Sequence, residues 1–242
     1  MHEPTDQRNF PKLARRTGLA YLGIIVTGVL AEFLVRGSLV VEGDPVTTAT
    51  NIAESPWLFG AGIGADVLMV ALDVTVAIGL YRLLRGVDRR LAMAATVLRL
   101  IQAAVLATNL LNLVHALRLA GDATAEATIL PGPAGEVLDA VQRHALGYDV
   151  GLIAFGLSCI VLGRLLSSSG LVSRPLAVGM SATGVVYLAG SFAAVFAADA
   201  SGLIEPFYLI PFVGEIAFAV RLVRGLRTTE PNTVRPATPA AA

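Results

Sequence analysis

Four polar residues lie inside apolar stretches long enough to cross a bilayer, where such side chains are costly and often functional. They are Asp73, Arg99, Gln102 and Glu215, here called the inner cluster. Asp73 and Arg99 stand 12 residues before and 9 residues after a short turn, residues 85–90, that carries three arginines. At a rise of about 1.5 Å per residue, the two charges fall within about 5 Å of the same depth. Because helices joined by so short a turn are antiparallel neighbours, the two residues are predicted to pair.

The inner cluster supports two interpretations. Gln102 follows Arg99 by three residues and shares its helix face, and Glu215 lies near the same depth in the last apolar stretch. In the structural interpretation, a buried ion pair locks three helices together. In the functional interpretation, two carboxylates facing one arginine leave one acid free to carry a proton, which makes a site for proton or ion coupling.

A second group of polar residues lies in the opposite halves of the apolar stretches or at their edges, and we call it the outer cluster. His144 and Tyr148 are one helical turn apart and are predicted to face the same pocket. The members are Glu32, Asp66, Asn109, Asn112, His115, His144, Tyr148, Asp149 and Glu205.

The outer cluster has three possible roles. Histidines with carboxylates bind zinc or similar ions, but neither an H-E-x-x-H nor an H-x-x-x-H element is present. His115 and His144 could hold one haem, whereas the two haems of a six-helix cytochrome would need more ligands. A hydrogen-bonded network lining a water-filled vestibule is the favoured interpretation, so no metal or cofactor is predicted.

Motifs for nucleophilic catalysis are absent from the sequence. There is no G-x-S-x-G element and no P-loop. The single cysteine, Cys159, lies in an apolar stretch without an adjacent base and is predicted to be a core thiol. We therefore predict no catalytic residue and no enzyme.

The composition is that of a chain surrounded mostly by lipid. Of 242 residues, 55% are hydrophobic and only 15% are charged, against roughly 25% charged residues in a soluble domain. The mean hydropathy is +0.71. The formal net charge is zero, which argues against a nucleic-acid partner. The expected partners are the lipid bilayer and an unknown small molecule or ion.

The fold class predicted is an all-α bundle of six transmembrane helices. Two longer loops, 36–56 and 120–143, are each expected to carry a short surface helix. The first such helix is expected to begin at Asp44-Pro45, and the second to follow Pro131-Gly132-Pro133. A polar segment, 1–16, precedes the bundle, and a disordered tail, 225–242, follows it. The spans are predicted at about 17–35, 58–84, 91–119, 144–166, 175–198 and 206–223.

Small residues recur in the spans at the spacing that lets two helices approach closely. They are predicted to pack helices within one bundle rather than to form a dimer. They are Gly18, Gly23 and Gly28 in the first span, Gly60 and Gly64 in the second, and Gly147 and Gly151 in the fourth.

The distribution of cations predicts the orientation. Of 18 lysines and arginines, 14 lie in the two termini, the turn near residues 82–90 and the linker near residues 164–174. Only Arg36, Arg118 and Arg143 lie in the alternate loops, and Arg99 lies within a span. Because cytoplasmic loops carry the excess of cations, both termini are predicted to be cytoplasmic, in a multi-pass protein of the inner (plasma) membrane.

Several short stretches along the chain form a recognisable combination. They are Gly18-Leu19-Ala20-Tyr21-Leu22, Ala31-Glu32-Phe33, Thr50-Asn51-Ile52-Ala53, Leu80-Tyr81-Arg82-Leu83-Leu84, Leu98-Arg99-Leu100-Ile101-Gln102-Ala103, His144-Ala145-Leu146-Gly147-Tyr148-Asp149 and Gly214-Glu215. Together they resemble the bacterial integral membrane proteins of domain-of-unknown-function family 4386 (DUF4386). The resemblance covers residues 14–224, nearly the whole chain. It implies six helices and a bacterial inner membrane, and it supplies no activity.

Three functional hypotheses follow from the sequence. The first is a small proton-coupled transporter or permease-like protein that works through Asp73, Arg99 and Glu215. The second is a non-catalytic membrane partner or sensor whose buried ion pairs only hold the bundle. The third is a membrane-embedded metal or haem protein that uses His115, His144 and Asp149.

Overall fold

The structure is a computed structural model that describes residues 4–125, 131–197 and 202–226. Within these ranges the chain is almost entirely helical and contains no strand. Six helical stretches of the described residues are long and apolar enough to cross a membrane, so the predicted six-span all-α bundle is confirmed. They are Asn9–Leu39, Pro56–Leu84, Arg89–Asp122, Gly132–Ser169, Arg174–Phe196 and Pro206–Arg224. The helices are α1 (Pro4–Val29), α2 (Pro45–Glu54), α3 (Pro56–Leu84), α4 (Arg89–Ala125), α5 (Pro131–Ser169), α6 (Arg174–Phe196) and α7 (Leu209–Arg224).

The six spanning helices form a closed ring in chain order. Each of α1, α3, α4, α5, α6 and α7 packs against the next, and α7 packs against α1. Short connections make successive helices antiparallel. The core inside the ring includes Tyr21, Val76, Phe155 and Phe218. Every span therefore has one face available to a common interior.

The outward faces of the ring are apolar. Phe33 and Leu111 are 71% and 68% exposed, and many other large apolar side chains of the spans are exposed too. Soluble monomers rarely carry such continuous apolar surface, whereas lipid tails would cover it at no cost. The packing thus agrees with a multi-pass membrane protein.

The first span is longer than the sequence indicated. Beyond Val29 it continues as a π-helical segment, Leu30–Arg36, and a helical turn, Gly37–Leu39. The span was predicted to end at residue 35, and the extension brings Arg36 into the bundle, where it is 8% exposed. π-Helical turns are rare in proteins, and those that occur are often found at functional sites. At the other end, α1 begins at Pro4, so much of the polar segment 1–16 is helical and continuous with the span.

Helix α2 begins where the sequence predicted. Asp44 is its N-cap, and its carboxylate accepts a hydrogen bond of 3.0 Å from the amide of Thr47. Pro45 occupies the first helical turn, where its missing N–H costs nothing. The buried face of α2, which includes Ala49 and Ile52, packs against α4 and α5.

The structure differs from the prediction for residues 120–143. Helix α4 runs on to Ala125, and α5 begins at Pro131 and continues unbroken to Ser169. Instead of forming a separate surface helix, Val137 and Val141 lie in an apolar core shared with α2. Because this core buries one face of α5 beyond the predicted span, a straight helix satisfies both the burial and the backbone hydrogen bonds.

The remaining turns are short. Helices α3 and α4 are joined by residues 85–88, and Asp88 caps α4 by accepting hydrogen bonds from the amides of Arg90 and Leu91. The described residues do not include 126–130, 198–201 or the predicted tail from residue 227 onward. Part of the predicted turn 199–205 therefore lies outside them.

Small residues set the closest helix contacts. A Cβ on Gly18 would lie 2.8 Å from Leu222 of α7, and a Cβ on Gly156 of α5 would lie 2.8 Å from the carbonyl oxygen of Gly184 of α6. By contrast, Gly60 and Gly64 face open space with nothing within 4 Å. Their predicted role in packing this bundle is therefore wrong.

Candidate functional site

A cavity of about 60 Å³ lies inside the ring of helices. Each of the six spanning helices contributes at least one residue to its wall. The wall consists of Ile24 of α1; Met69, Val70 and Asp73 of α3; Arg99, Gln102 and Leu106 of α4; Tyr148, Leu152 and Phe155 of α5; Tyr187 of α6; and Glu215 of α7. All four residues of the inner cluster therefore meet at one place.

Asp73 and Arg99 are in direct contact across α3 and α4. The Nε of Arg99 donates a hydrogen bond of 2.7 Å to Oδ1 of Asp73. The Nη2 of Arg99 lies 2.6 Å from the same oxygen, at an angle that is not that of a hydrogen bond. Both side chains are almost wholly buried, so each charge depends on the other for its stability in the interior.

Two aromatic rings hold the guanidinium of Arg99 in place. Its carbon Cζ lies 4.8 Å from the centre of the Tyr21 ring and 4.7 Å from the centre of the Phe155 ring. A planar cation stacks well on aromatic faces. Because Tyr21 belongs to α1 and Phe155 to α5, Arg99 links four helices: these two, its own and that of Asp73.

Glu215 has a different partner from Asp73. The hydroxyl of Tyr187, on α6, donates a hydrogen bond of 2.5 Å to Oε1 of Glu215, on α7. The two residues line the cavity together. Glu215 forms no ion pair within the described residues, so the cavity combines one paired carboxylate with one that only a neutral group contacts.

Two oxygen atoms at the cavity have no hydrogen-bond partner in the described part of the chain. They are Oδ2 of Asp73 and Oε1 of Gln102. Asp73 is 4% exposed and Gln102 is 6% exposed, so bulk water does not satisfy them. Unpartnered buried acceptors are rare in folded proteins and require an explanation.

The aromatic members of this site were not predicted from the sequence. Tyr148 was assigned to the outer cluster, but its side chain lines the same cavity as Glu215. It remains near His144, with ring centres 6.4 Å apart. Tyr21, Phe155 and Tyr187 gave no separate signal, because an aromatic residue in an apolar stretch is usually part of the core.

The outer cluster separates into two networks and several isolated residues. The first network is centred on Arg36. Its Nε donates a hydrogen bond of 2.7 Å to Glu32, and its Nη1 donates one of 2.6 Å to Asp66. Asp66 is buried on α3, whereas the Glu32 side chain is 62% exposed. Arg36 was counted only as a loop cation, and the longer first span makes it the centre of this network.

The second network joins α4 to α5. Nδ2 of Asn109 donates a hydrogen bond of 2.8 Å to the carbonyl oxygen of His144, and it lies 3.2 Å from Nδ1 of the His144 ring. Nδ2 of Asn112 donates a hydrogen bond of 2.9 Å to Oδ1 of Asn109. Gly147 makes room for this network, because a Cβ there would collide with the amide group of Asn109. These contacts satisfy buried polar groups and tie the two helices together.

His115 and Asp149 do not join either network within the described residues. His115 is exposed, and Asp149 is half-buried. The side chain of Glu205 lies outside the described residues. No group of three or more His, Cys, Asp or Glu residues in the described part of the chain could hold a metal ion. His115 is exposed, whereas His144 is buried and lies against Asn109.

Comparisons with known proteins place the chain in a family without an assigned function. An uncharacterised protein of Archaeoglobus fulgidus is 29% identical over 174 residues, which cover 67% of this chain and 83% of that protein. No solved structure matches the chain significantly. A family described as "Domain of unknown function (DUF4386)" matches residues 16–225. The chain therefore belongs to the DUF4386 family, whose six-span helical bundle is built here around a buried charged cavity.

Proposed function

We propose that this protein is a small proton-coupled transporter whose coupling site is the cavity lined by Asp73, Arg99 and Glu215. The observation that carries the proposal is the convergence of all six spans on one charged cavity. Ionisable residues placed inside a membrane commonly mark ion and substrate pathways. A site shared by every helix is also one that helix movements can open to either side.

Glu215 is the residue assigned to carry the proton. Asp73 and Arg99 neutralise each other through a contact of 2.6 Å. Glu215 forms no ion pair within the described residues, and it accepts a hydrogen bond from the neutral hydroxyl of Tyr187. When it gains or loses a proton, the net charge of the cavity changes by one unit, and such a change alters which species the cavity binds.

The proposal includes an orientation in the inner membrane with both termini in the cytoplasm. It rests on the excess of cations at the termini and at the turns near residues 85 and 170. Fusion of a fluorescent protein and of a periplasmic phosphatase to the C-terminus tests it. Fluorescence without phosphatase activity supports the orientation, and the converse result contradicts it.

Proton movement in vesicles tests the transport proposal. The purified protein is reconstituted with an internal pH-sensitive dye, the membrane potential is clamped, and a neutralised small-molecule extract of bacterial cells is added outside. We expect a proton flux above that of empty vesicles, which correct for passive permeation. The Glu215→Gln variant should lose this flux, while Asp149→Asn, which changes a half-buried carboxylate outside the cavity wall, should keep it.

The packing of Arg99 favours a second candidate, a membrane partner or sensor whose buried charges are structural. Two aromatic rings, centred 4.8 and 4.7 Å from the guanidinium carbon, hold it in one position. In that case Asp73→Asn should lower stability by about 3–5 kcal/mol, since it leaves a buried charge without its partner. Replacing both residues by leucine should then restore stability. The transport proposal instead expects the double variant to remain without flux even when it is folded.

A further inference from the structure

We propose that the cavity binds one small monovalent organic cation with N–H donors, of the size of methylammonium. The inference deepens the proposed transport function, because it assigns a ligand class to the same cavity. It rests on the charge of the cavity wall, on the hydrogen-bonding atoms that the wall presents and on the available space.

The charge of the wall selects a single positive charge. With all groups ionised, Asp73 and Glu215 carry two negative charges and Arg99 carries one positive charge. One negative charge is left, and burial inside a membrane makes an uncompensated charge costly. A monovalent cation neutralises the cavity, whereas a divalent cation or an anion would leave a net charge inside it.

Two of the three wall atoms without a hydrogen-bond partner in the described part of the chain are acceptors, and the third, Nη2 of Arg99, lies 2.6 Å from Oδ1 of Asp73. Oδ2 of Asp73 and Oε1 of Gln102 are buried oxygens that lack a hydrogen-bond donor. Nε and Nη2 of Arg99 both lie against Oδ1 of Asp73, at 2.7 and 2.6 Å, and two aromatic rings lie within 4.8 Å of its guanidinium carbon. The cavity therefore offers acceptors to a ligand and withholds its strongest donor, which matches a ligand that brings its own N–H groups.

The aromatic wall favours an organic cation over a bare metal ion. Phe155, Tyr148 and Tyr187 line the cavity beside the carboxylates, and aromatic faces attract ammonium groups. The space of about 60 Å³ exceeds the roughly 15 Å³ that one water molecule needs. It therefore has room for a cation of a few heavy atoms, and a large quaternary ion does not fit.

Thermal unfolding of the full-length protein in detergent measures binding directly. Cys159 is the only cysteine and is buried, so a thiol-reactive dye reports unfolding at a single position. Methylammonium chloride is compared at pH 7 with sodium chloride and tetramethylammonium chloride at equal concentration. Methylammonium should raise the melting temperature in a saturable way. Tetramethylammonium, which has the charge without N–H donors, should give less than one third of that rise.

Two variants test whether the cavity is the site. Glu215→Gln removes the residual charge, and Gln102→Leu removes an unpartnered oxygen while leaving the volume nearly unchanged. Both should reduce the methylammonium-dependent rise at least threefold. Because Gln102→Leu removes an unsatisfied buried acceptor without creating another, the variant should be at least as stable as the parent without ligand. Asp149→Asn is the matched control and should keep the full rise.

Three results would overturn the inference: no saturable rise, an equal rise with sodium or tetramethylammonium, or a full rise in both cavity variants. Uptake of labelled methylammonium into vesicles separates this inference from the transport proposal. Saturable binding without uptake or proton flux would leave the ligand assignment standing and contradict transport. Proton flux driven by another solute, without a methylammonium-dependent rise, would do the opposite.

Discussion

Tyr187 and Glu215 form a hydrogen bond of 2.5 Å that joins α6 to α7 at the wall of the cavity. The Tyr187 ring also lies 5.3 Å from that of Phe155 and 6.0 Å from that of Tyr208, measured between centres. The rings hold the hydroxyl at its position from two sides. Tyr187 therefore acts as a positioning residue for the carboxylate to which we assign the proton.

Replacing Tyr187 by phenylalanine should lower the free energy of unfolding by about 1.5–3 kcal/mol, the usual loss for a hydrogen bond to a charged group. Thermal unfolding followed through Cys159 measures it. The Tyr81→Phe variant is the control, since the Tyr81 hydroxyl makes no hydrogen bond within the described residues. Equal stability of the Tyr187 variant and the parent would show that the contact contributes nothing.

Arg36→Lys should destabilise the end of the bundle at which α1 meets α3. Lysine keeps the charge but has one nitrogen, so it cannot contact Glu32 and the buried Asp66 as the Nε and Nη1 of Arg36 do. We expect a loss of about 1–3 kcal/mol in the free energy of unfolding. Arg118→Lys, at an exposed arginine of α4, should change stability by less than about 0.5 kcal/mol. Similar losses in the two variants would contradict the assigned role of Arg36.

The N-cap of α2 should depend on pH. The amide of Thr47, and then its hydroxyl, donate to the Asp44 carboxylate and hold the pKa of Asp44 below its ordinary value. Since the folded state favours the charged form, the stabilisation is complete above the ordinary pKa and is lost as the pH falls through the lowered pKa. Hydrogen exchange of residues 44–55, corrected for the intrinsic rate, should therefore accelerate as the pH falls below about 4, the ordinary pKa of an aspartate. Asp44→Asn, which caps without a titrating charge, should remove this acceleration.

Gly184→Ala should disrupt the contact between α5 and α6. A methyl group there would collide with the carbonyl oxygen of Gly156 and lie 2.7 Å from Ile160. Overpacking of this kind costs about 1–3 kcal/mol. Gly179→Ala is the control on the same helix, because nothing lies within 4 Å of its added methyl group. That variant should be neutral or more stable by up to about 1 kcal/mol, as for alanine in place of a helical glycine. A Gly184 variant as stable as the control would show that the two helices separate easily.

The contact between Asp73 and Arg99 could be predicted from the sequence because the prediction required only the rise of a helix and a tight turn. Both are regular, and the turn is even shorter than expected, residues 85–88. The number of spans followed from apolar length in the same way. These features depend on local chain geometry, which sequence patterns report well.

The partners of the other buried residues depended on features that the sequence does not report. Arg36 enters the bundle only because α1 continues through a π-helical segment, and such a segment has no sequence signature. Tyr148 lies at the cavity because of the rotation of α5, which is set by packing against its neighbours. Gly60 and Gly64 show the same limit, since spacing alone does not tell which face of a helix meets another.

The closed order of the helices has a consequence for membrane insertion. Arg36 reaches Asp66 on the next span, Asp73 reaches Arg99 on the next, Asn109 reaches His144 on the next, and Tyr187 reaches Glu215 on the last. Each of these contacts can form as soon as two successive spans leave the ribosome as a hairpin. The nascent chain thus need not expose these groups singly to acyl chains, and insertion can proceed pair by pair before the ring closes.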